Sequence, residues 1–156
     1  VTTLLVGTSS GIVPTLAQML LWVAAGEDAW TLLLRDAWLT AALVPGELAP
    51  SVSAGSDARI MLAAAAIHFA LSITYAALLL PLAKRLAPIP SLVAGAGFGA
   101  TLYFVNLHGF TVIFPWFIQA RGLITLTAHI VFGVVVILTY RKISQFQPPR
   151  ERRSRP

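Results

Sequence analysis

Cysteine is absent from this chain of 156 residues. That excludes a disulfide framework, a thiol nucleophile and any sulfur-ligated metal or iron–sulfur cluster. Charge is scarce as well. Charged residues make up 11% of the chain, well below the roughly 25% of ordinary globular proteins. Long stretches have none at all: Ile60 to Ala83, the interval between Arg85 and Arg121, and Gly122 to Tyr140. Acids at membrane depth are therefore missing, which argues against a proton pump, an ion-coupled carrier and a paired-acid intramembrane protease. Other catalytic signatures are missing too. Ser9-Ser10 precede Gly11 without a Gly-x-Ser-x-Gly elbow, and no acid is placed to orient a histidine. No lysine follows the glycines at 95 to 99, so they make no nucleotide loop. The scattered acids lack metal-ligand spacing. The chain is not expected to be catalytic by itself.

What is abundant is apolar: 57% of the residues are hydrophobic. A hydrocarbon core of about 30 Å needs about 20 such residues per helix. Four stretches meet that demand, at about 3–25, 60–80, 92–108 and 123–140. A soluble fold would need several all-apolar helices with almost no polar surface to cover them. The expectation is an all-α integral membrane protein, a four-helix transmembrane bundle over 1–144 with a tail at 145–156. The first run is long for the apolar core of a cleaved signal peptide and has no basic residues before it, so it is expected to be a retained span.

The few charges are sorted. Of 11 Lys and Arg residues, Lys84, Arg85, Arg141, Lys142, Arg150, Arg152, Arg153 and Arg155 fall in two places. Of six acids, Glu27, Asp28, Asp36, Glu47 and Asp57 lie between the first two apolar runs. This positive-inside pattern puts both termini in the cytoplasm. Arg59 and Arg121 fall on the other side, beside helix ends where long side chains snorkel. The net positive charge thus reflects orientation, and no nucleic acid is expected as a partner. The tail, rich in Pro and Arg, is suited to anionic lipid or a cytoplasmic partner.

Between spans one and two, Trp30, Leu34, Ala37, Trp38 and Ala41 recur at helical spacing, while Arg35 and Asp36 rule out a full span. This predicts an amphipathic helix over about 30–44, lying along the outer surface and anchored by Trp30 and Trp38. Asp57 is a candidate N-cap for span two, with Pro81 at the exit of that span. Pro88 to Pro90 read as a turn. Pro14 predicts a kink or a lost hydrogen bond near Ser10–Gly11. Trp116 and Tyr140 are further interface anchors.

Two small-xxx-small pairs, Gly7–Gly11 and Gly95–Gly99, give spans one and three flat faces for close helix approach. Both begin near the cytoplasmic side, so the two faces could meet each other or another subunit.

The remaining polar candidates are histidines. His68 lies roughly 12 Å below the outer end of span two and His129 roughly 10 Å below that of span four, at 1.5 Å per residue. Ala64, His68, Ser72 and Tyr75 share one helix face; Thr125, His129 and Gly133 share another. Two imidazoles at one depth are suited to paired axial ligation of haem b, with Ala64 and Gly133 clearing space for the porphyrin. The alternatives are contact with a bacteriochlorophyll-type pigment or a quinone, and, as the leading expectation for the pair, hydrogen bonds that tie helices together. His108, beside Asn106 and Gly109, reads as a wet interface residue.

Ala58–Ala83 and Tyr103–Tyr140, with Asn106-Leu107-His108-Gly109-Phe110, Phe114-Pro115-Trp116-Phe117 and Thr127-Ala128-His129, resemble small bacterial inner-membrane proteins of four spans, as does Pro14-Thr15-Leu16-Ala17-Gln18-Met19. The resemblance implies a bacterial inner membrane and carries no activity. The leading expectation is an accessory or assembly subunit of a larger membrane complex, with other membrane subunits as partners. The alternatives are an electron-transfer subunit using His68 and His129, or a small transporter or channel component.

Overall fold

A computed structural model describes residues 1–44 and 57–145. Residues 45–56 and the basic tail beyond Gln145 lie outside the described residues. Within them the protein is all-α. The helices are α1 (Thr2–Ala24), α2 (Ala29–Ala41), α3 (Ala58–Arg85), α4 (Pro88–Phe104) and α5 (Leu123–Gln145). A wider π turn, Val105–Gly109, and two short 3₁₀ segments, Phe110–Val112 and Pro115–Ala120, link α4 to α5.

Four helices are long and apolar enough to cross a membrane: α1, α3, α5, and α4 with its continuation to Val112. Only 22% to 33% of the most apolar stretch of each is buried within the protein. The rest, including Leu4, Leu62, Leu78, Val93 and Leu138, points outward. In water such a surface would be an aggregation liability, whereas in a bilayer it is the lipid-facing coat. The protein is a multi-pass membrane protein of four spans.

Helix ends follow from local chemistry. Asp28 caps α2, its Oδ1 accepting from the N–H groups of Trp30 (3.1 Å) and Thr31 (3.2 Å), with the Thr31 hydroxyl donating to Oδ2 at 2.7 Å. These bonds, the hydroxyl of Thr31 foremost, hold the Asp28 carboxyl below its ordinary range. Gly26, at φ 79°, makes the left-handed turn between α1 and α2. Asp57 caps α3 through the N–H of Arg59 at 2.8 Å.

Three prolines behave differently from the sequence expectation. Pro81 lies inside α3, which continues to Arg85. Pro88 and Pro90 do not form a separate turn but open α4. Their fixed φ suits a first helical turn, where no intrahelical partner is needed for their missing N–H groups. The third span thus starts earlier than the apolar pattern indicated, and its regular α-helix ends at Phe104 instead of reaching His108. Pro14 is accommodated within an uninterrupted α1, although it offers no N–H to the Ser10 carbonyl.

The bundle is organised around α5, which packs most extensively on α4 and α1 and also touches α3. Val6, Ala76, Leu79, Leu102, Phe132, Val136 and Ile137 form the main apolar core. The two glycine faces do not meet each other. Gly7 and Gly11 pack on α3, against Ile73 and against Phe69 and Ser72 respectively. Gly95 and Gly99 pack on α5, against Gly133 and His129. Each glycine pair already has a partner within the chain, because α3 and α5 pass over those faces. Arg141, counted in sequence with the basic end, turns back on the α3–α4 junction. Its guanidinium donates to the Leu86 carbonyl at 2.8 Å and to the buried Ser91 Oγ at 2.9 and 3.1 Å.

Candidate functional site

Threonines in the helices mostly satisfy themselves. The hydroxyls of Thr15, Thr40, Thr74, Thr101 and Thr127 each donate to the carbonyl four residues earlier, at 2.8 to 2.9 Å. Ser10 does not. Its side chain is fully buried, and its Oγ is the one buried side-chain polar atom without a hydrogen-bond partner among the described residues. It borders a half-open cavity of about 550 Å³ in the end of the bundle covered by α2.

All four spans contribute polar groups to this cavity. Ser10 and Gln18 come from α1, His68, Ser72 and Tyr75 from α3, Asn106 from the π turn after α4, and Thr125 and His129 from α5. Apolar and aromatic walls separate them, among them Phe69, Leu102, Phe117 and Phe132. Trp22, almost wholly buried, closes one corner.

The roof is α2. Leu39 packs with Tyr103, Leu107 and Ala120, and the Trp116 indole N–H donates to the Leu39 carbonyl at 3.1 Å. Ala41 packs with Ile60 and Ala64. Asp36 faces the cavity, held by the Arg35 guanidinium at 2.8 Å and by the Gln18 amide at 3.4 Å. Burial pushes the Asp36 carboxyl up, against the opposing pull of Arg35. The same Gln18 nitrogen reaches Thr125 Oγ1 at 3.5 Å, so one amide ties α1, α2 and α5 together.

Each histidine commits one ring nitrogen to a carbonyl. His68 Nε2 lies 3.2 Å from the Gly11 oxygen, and His129 Nδ1 lies 2.8 Å from the Thr125 oxygen. A carbonyl only accepts, so those nitrogens carry the protons. A neutral imidazole then keeps a lone pair on Nδ1 of His68 and on Nε2 of His129. Neither of these nitrogens has a partner among the described residues, and both imidazoles line the cavity. His129 also stands edge-on to Tyr103, ring centroids 5.7 Å apart.

The π turn positions Asn106, whose Oδ1 accepts from the Tyr75 hydroxyl at 2.9 Å. This bond bridges α3 to the segment after α4. Arg121 fixes the turn from the other side, Nε donating to the Leu107 carbonyl at 2.7 Å and Nη2 to Thr111 Oγ1 at 2.8 Å. Though exposed, it is tied to the turn, where its sequence position indicated only a snorkelling charge. His108 is exposed and lies against Tyr103 and Phe104, at centroid distances of 5.5 and 5.4 Å.

His68 and His129, far apart in sequence, are thus brought to one cavity. Gly133 is not part of it: the α4 backbone at Gly95 fills the space its missing side chain leaves. Of the interface anchors, Trp30 is 55% exposed, Trp116 is half-buried on the bundle, and Tyr140 packs against the main core. Gln18 and Asp36 were not singled out by sequence as site residues. A lone glutamine on a span and an acid on an amphipathic helix are common features. Only the folding of α2 over the bundle makes them converge. No cluster of three or more metal-ligating side chains occurs among the described residues. No family model matches the chain, and neither a curated protein nor a solved structure matches it.

Proposed function

We propose that this protein binds an amphipathic organic molecule taken from the bilayer and holds its polar end near His68 and His129. The observation that carries the proposal is the cavity of about 550 Å³ itself, with polar groups from every span set in apolar walls. Small-molecule sites are typically clefts of roughly 300–1,000 Å³ with a few placed polar groups. Here two imidazole nitrogens on the cavity wall remain unspent and are open to a polar group that enters it.

A haem b held by both histidines fits this arrangement less well than a pigment or quinone in contact with them. His68 would have to bind iron through Nδ1 or give up its bond to Gly11, and Gly133 leaves no room for a porphyrin edge. A transporter or channel component would use the same half-open cavity as a binding site. An accessory or assembly role in a larger bacterial inner-membrane complex is the second reading. It is supported by Trp30, which stands 55% exposed on α2 and offers an anchor to a neighbouring subunit or to the headgroup layer. Its basic tail would meet anionic lipid or a cytoplasmic partner.

Purification of the full chain into polymer-bounded nanodiscs, then organic extraction and mass measurement, tests the main proposal. A stoichiometric amphipathic molecule is expected, at lower occupancy in Ala65→Phe, which narrows the cavity. Absorption spectra before and after dithionite identify a haem or a pigment. Bulk lipid alone in the extract, unchanged by Ala65→Phe, would reject ligand binding. Recovery only as a monomer from conditions that preserve membrane complexes would count against the subunit reading.

The charge distribution supports cytoplasmic termini. Single cysteines at Ser53 and Gly109 should then react with an impermeant maleimide from outside intact cells, and those at Ala87 and Pro148 only after permeabilisation. Labelling of Ser53→Cys and Pro148→Cys from the same side would reject this topology.

A further inference from the structure

The hydrogen bonds already made around the cavity restrict what can complete it. This step rests on the cavity being a ligand site and concerns only the chemistry of the occupant. Two imidazole nitrogens, His68 Nδ1 and His129 Nε2, are left as acceptors once their other nitrogens donate to Gly11 and Thr125. Gln18 turns its N–H groups toward Asp36 and Thr125, leaving its carbonyl oxygen as an acceptor. Asp36 is acceptor-only when ionised, and both its oxygens are engaged, one by Arg35 and one by Gln18. Against these stands one unspent donor on the cavity wall, the Asn106 side-chain N–H₂, because Asn106 uses its oxygen to receive Tyr75; the Ser10 hydroxyl is sealed within the bundle.

Charging an imidazole to make it a donor is expensive at membrane depth. In neutral form both histidines demand a proton from the ligand. A ligand polar end with acceptors only, such as a quinone carbonyl, would satisfy Asn106 and leave both imidazoles unpaired. A hydroxyl both donates and accepts, so it can donate a hydrogen bond to an imidazole and receive one from Asn106. The aromatic walls at Phe69, Phe117 and Phe132 suit a ring. At the exposed end of the lining stand Ile12, Leu16 and Leu71, an apolar edge along which an alkyl tail can leave toward lipid.

We infer that the cavity is a site for a hydroxylated aromatic lipid of the quinol or phenol class, with His129 and His68 accepting its hydroxyl protons, and that it discriminates against the corresponding quinone. No redox step is implied. The site reads the presence of the O–H group, because an analogue lacking it would leave both imidazole acceptors on the cavity wall unpaired.

The test is competition between a short-chain benzoquinol and its benzoquinone for the full-length protein in nanodiscs, under argon, read by native mass spectrometry. The quinol is expected to bind at least tenfold more tightly, a difference of about 1.4 kcal/mol. The double variant His68→Phe/His129→Phe should bring the ratio close to one while its thermal melt stays cooperative. His129→Gln alone, which can still accept through its amide oxygen, should keep most of the preference and guards against loss of fold in the double variant. Equal or tighter binding of the quinone overturns the inference. Binding of neither form also overturns it, and a different co-extracted amphipathic molecule would then leave the cavity's role as a ligand site standing.

Discussion

Gly133→Val is expected to prevent the bundle from forming. A side chain at this position would collide with the Gly95 carbonyl oxygen and lie 2.7 Å from its carbon and 3.1 Å from the Gly99 nitrogen, so the obstacle is backbone that cannot swing aside. The reverse also holds: a Cβ on Gly95 would lie 2.6 Å from the Gly133 oxygen, and one on Gly99 would strike the His129 carbonyl. Membrane helices gain no hydrophobic drive from associating in lipid, so they depend on this close approach. Forcing α4 and α5 apart removes the largest helix contact in the protein. The expected cost is at least about 3 kcal/mol, beyond ordinary overpacking. Unfolding in mixed micelles of rising SDS content, followed by tryptophan fluorescence, measures it. Gly97→Ala is the matched control. Nothing lies within 4 Å of a Cβ there, and the change should shift stability by less than about 0.5 kcal/mol. Equal effects at the two positions would show that α4 and α5 are not in backbone contact.

Arg121→Met is expected to be the most damaging change of a charged side chain. The Leu107 residue is 5% exposed, and its carbonyl lies in a stretch where the regular α-helical ladder has given way to a π turn. Arg121 supplies a charged donor to it at 2.7 Å and holds Thr111 as well. Methionine keeps the apolar stem and removes both bonds, stranding a backbone acceptor near membrane depth. Bonds from charged donors contribute about 1.5–3 kcal/mol, and a loss in that range is expected. Arg121→Lys should recover only part of it, since one ammonium cannot reproduce the two-nitrogen fork. Asn106 is carried by the same turn, so ligand occupancy should fall along with stability. A variant of wild-type stability and occupancy would mean that water or headgroups satisfy the turn instead.

The four spans could be read from sequence because their signal is local: a run of apolar residues long enough to cross, bounded by charge. Asp57 as a cap was legible for the same reason, since its partner lies two residues away. What escaped was settled between elements. Pro88 looks like a turn until Ser91 and the helix behind it are seen to be locked by Arg141 from the far end of α5. The glycine pairs announced close packing, but nothing in a small-xxx-small pattern names the helix that will fill it. The histidines were found by depth, which follows from counting residues. Their committed nitrogens could not be, because Gly11 is 57 positions away from His68. Asp36 read as a surface charge because its helix carries a polar face, and only the packing of Leu39 and Ala41 turns that face over the cavity.

The position of α5 bears on how the chain is made. It is the last of the four spans to leave the ribosome, and it is the element on which α1 and α4 both lean. Until it arrives, Gly95 and Gly99 of α4 face no helix, and α1 and α3 hold each other beneath α2 without the element both pack on. The earlier spans must therefore wait in the membrane as loosely associated segments, with Asn106 and the histidine of α3 still without their shared enclosure. Membrane quality control would meet a species whose polar groups are open to lipid for the length of that delay. Closure by the final helix is then the event that removes those groups from surveillance, and slowing translation just before Leu123 should lengthen the period in which the newborn chain is cut.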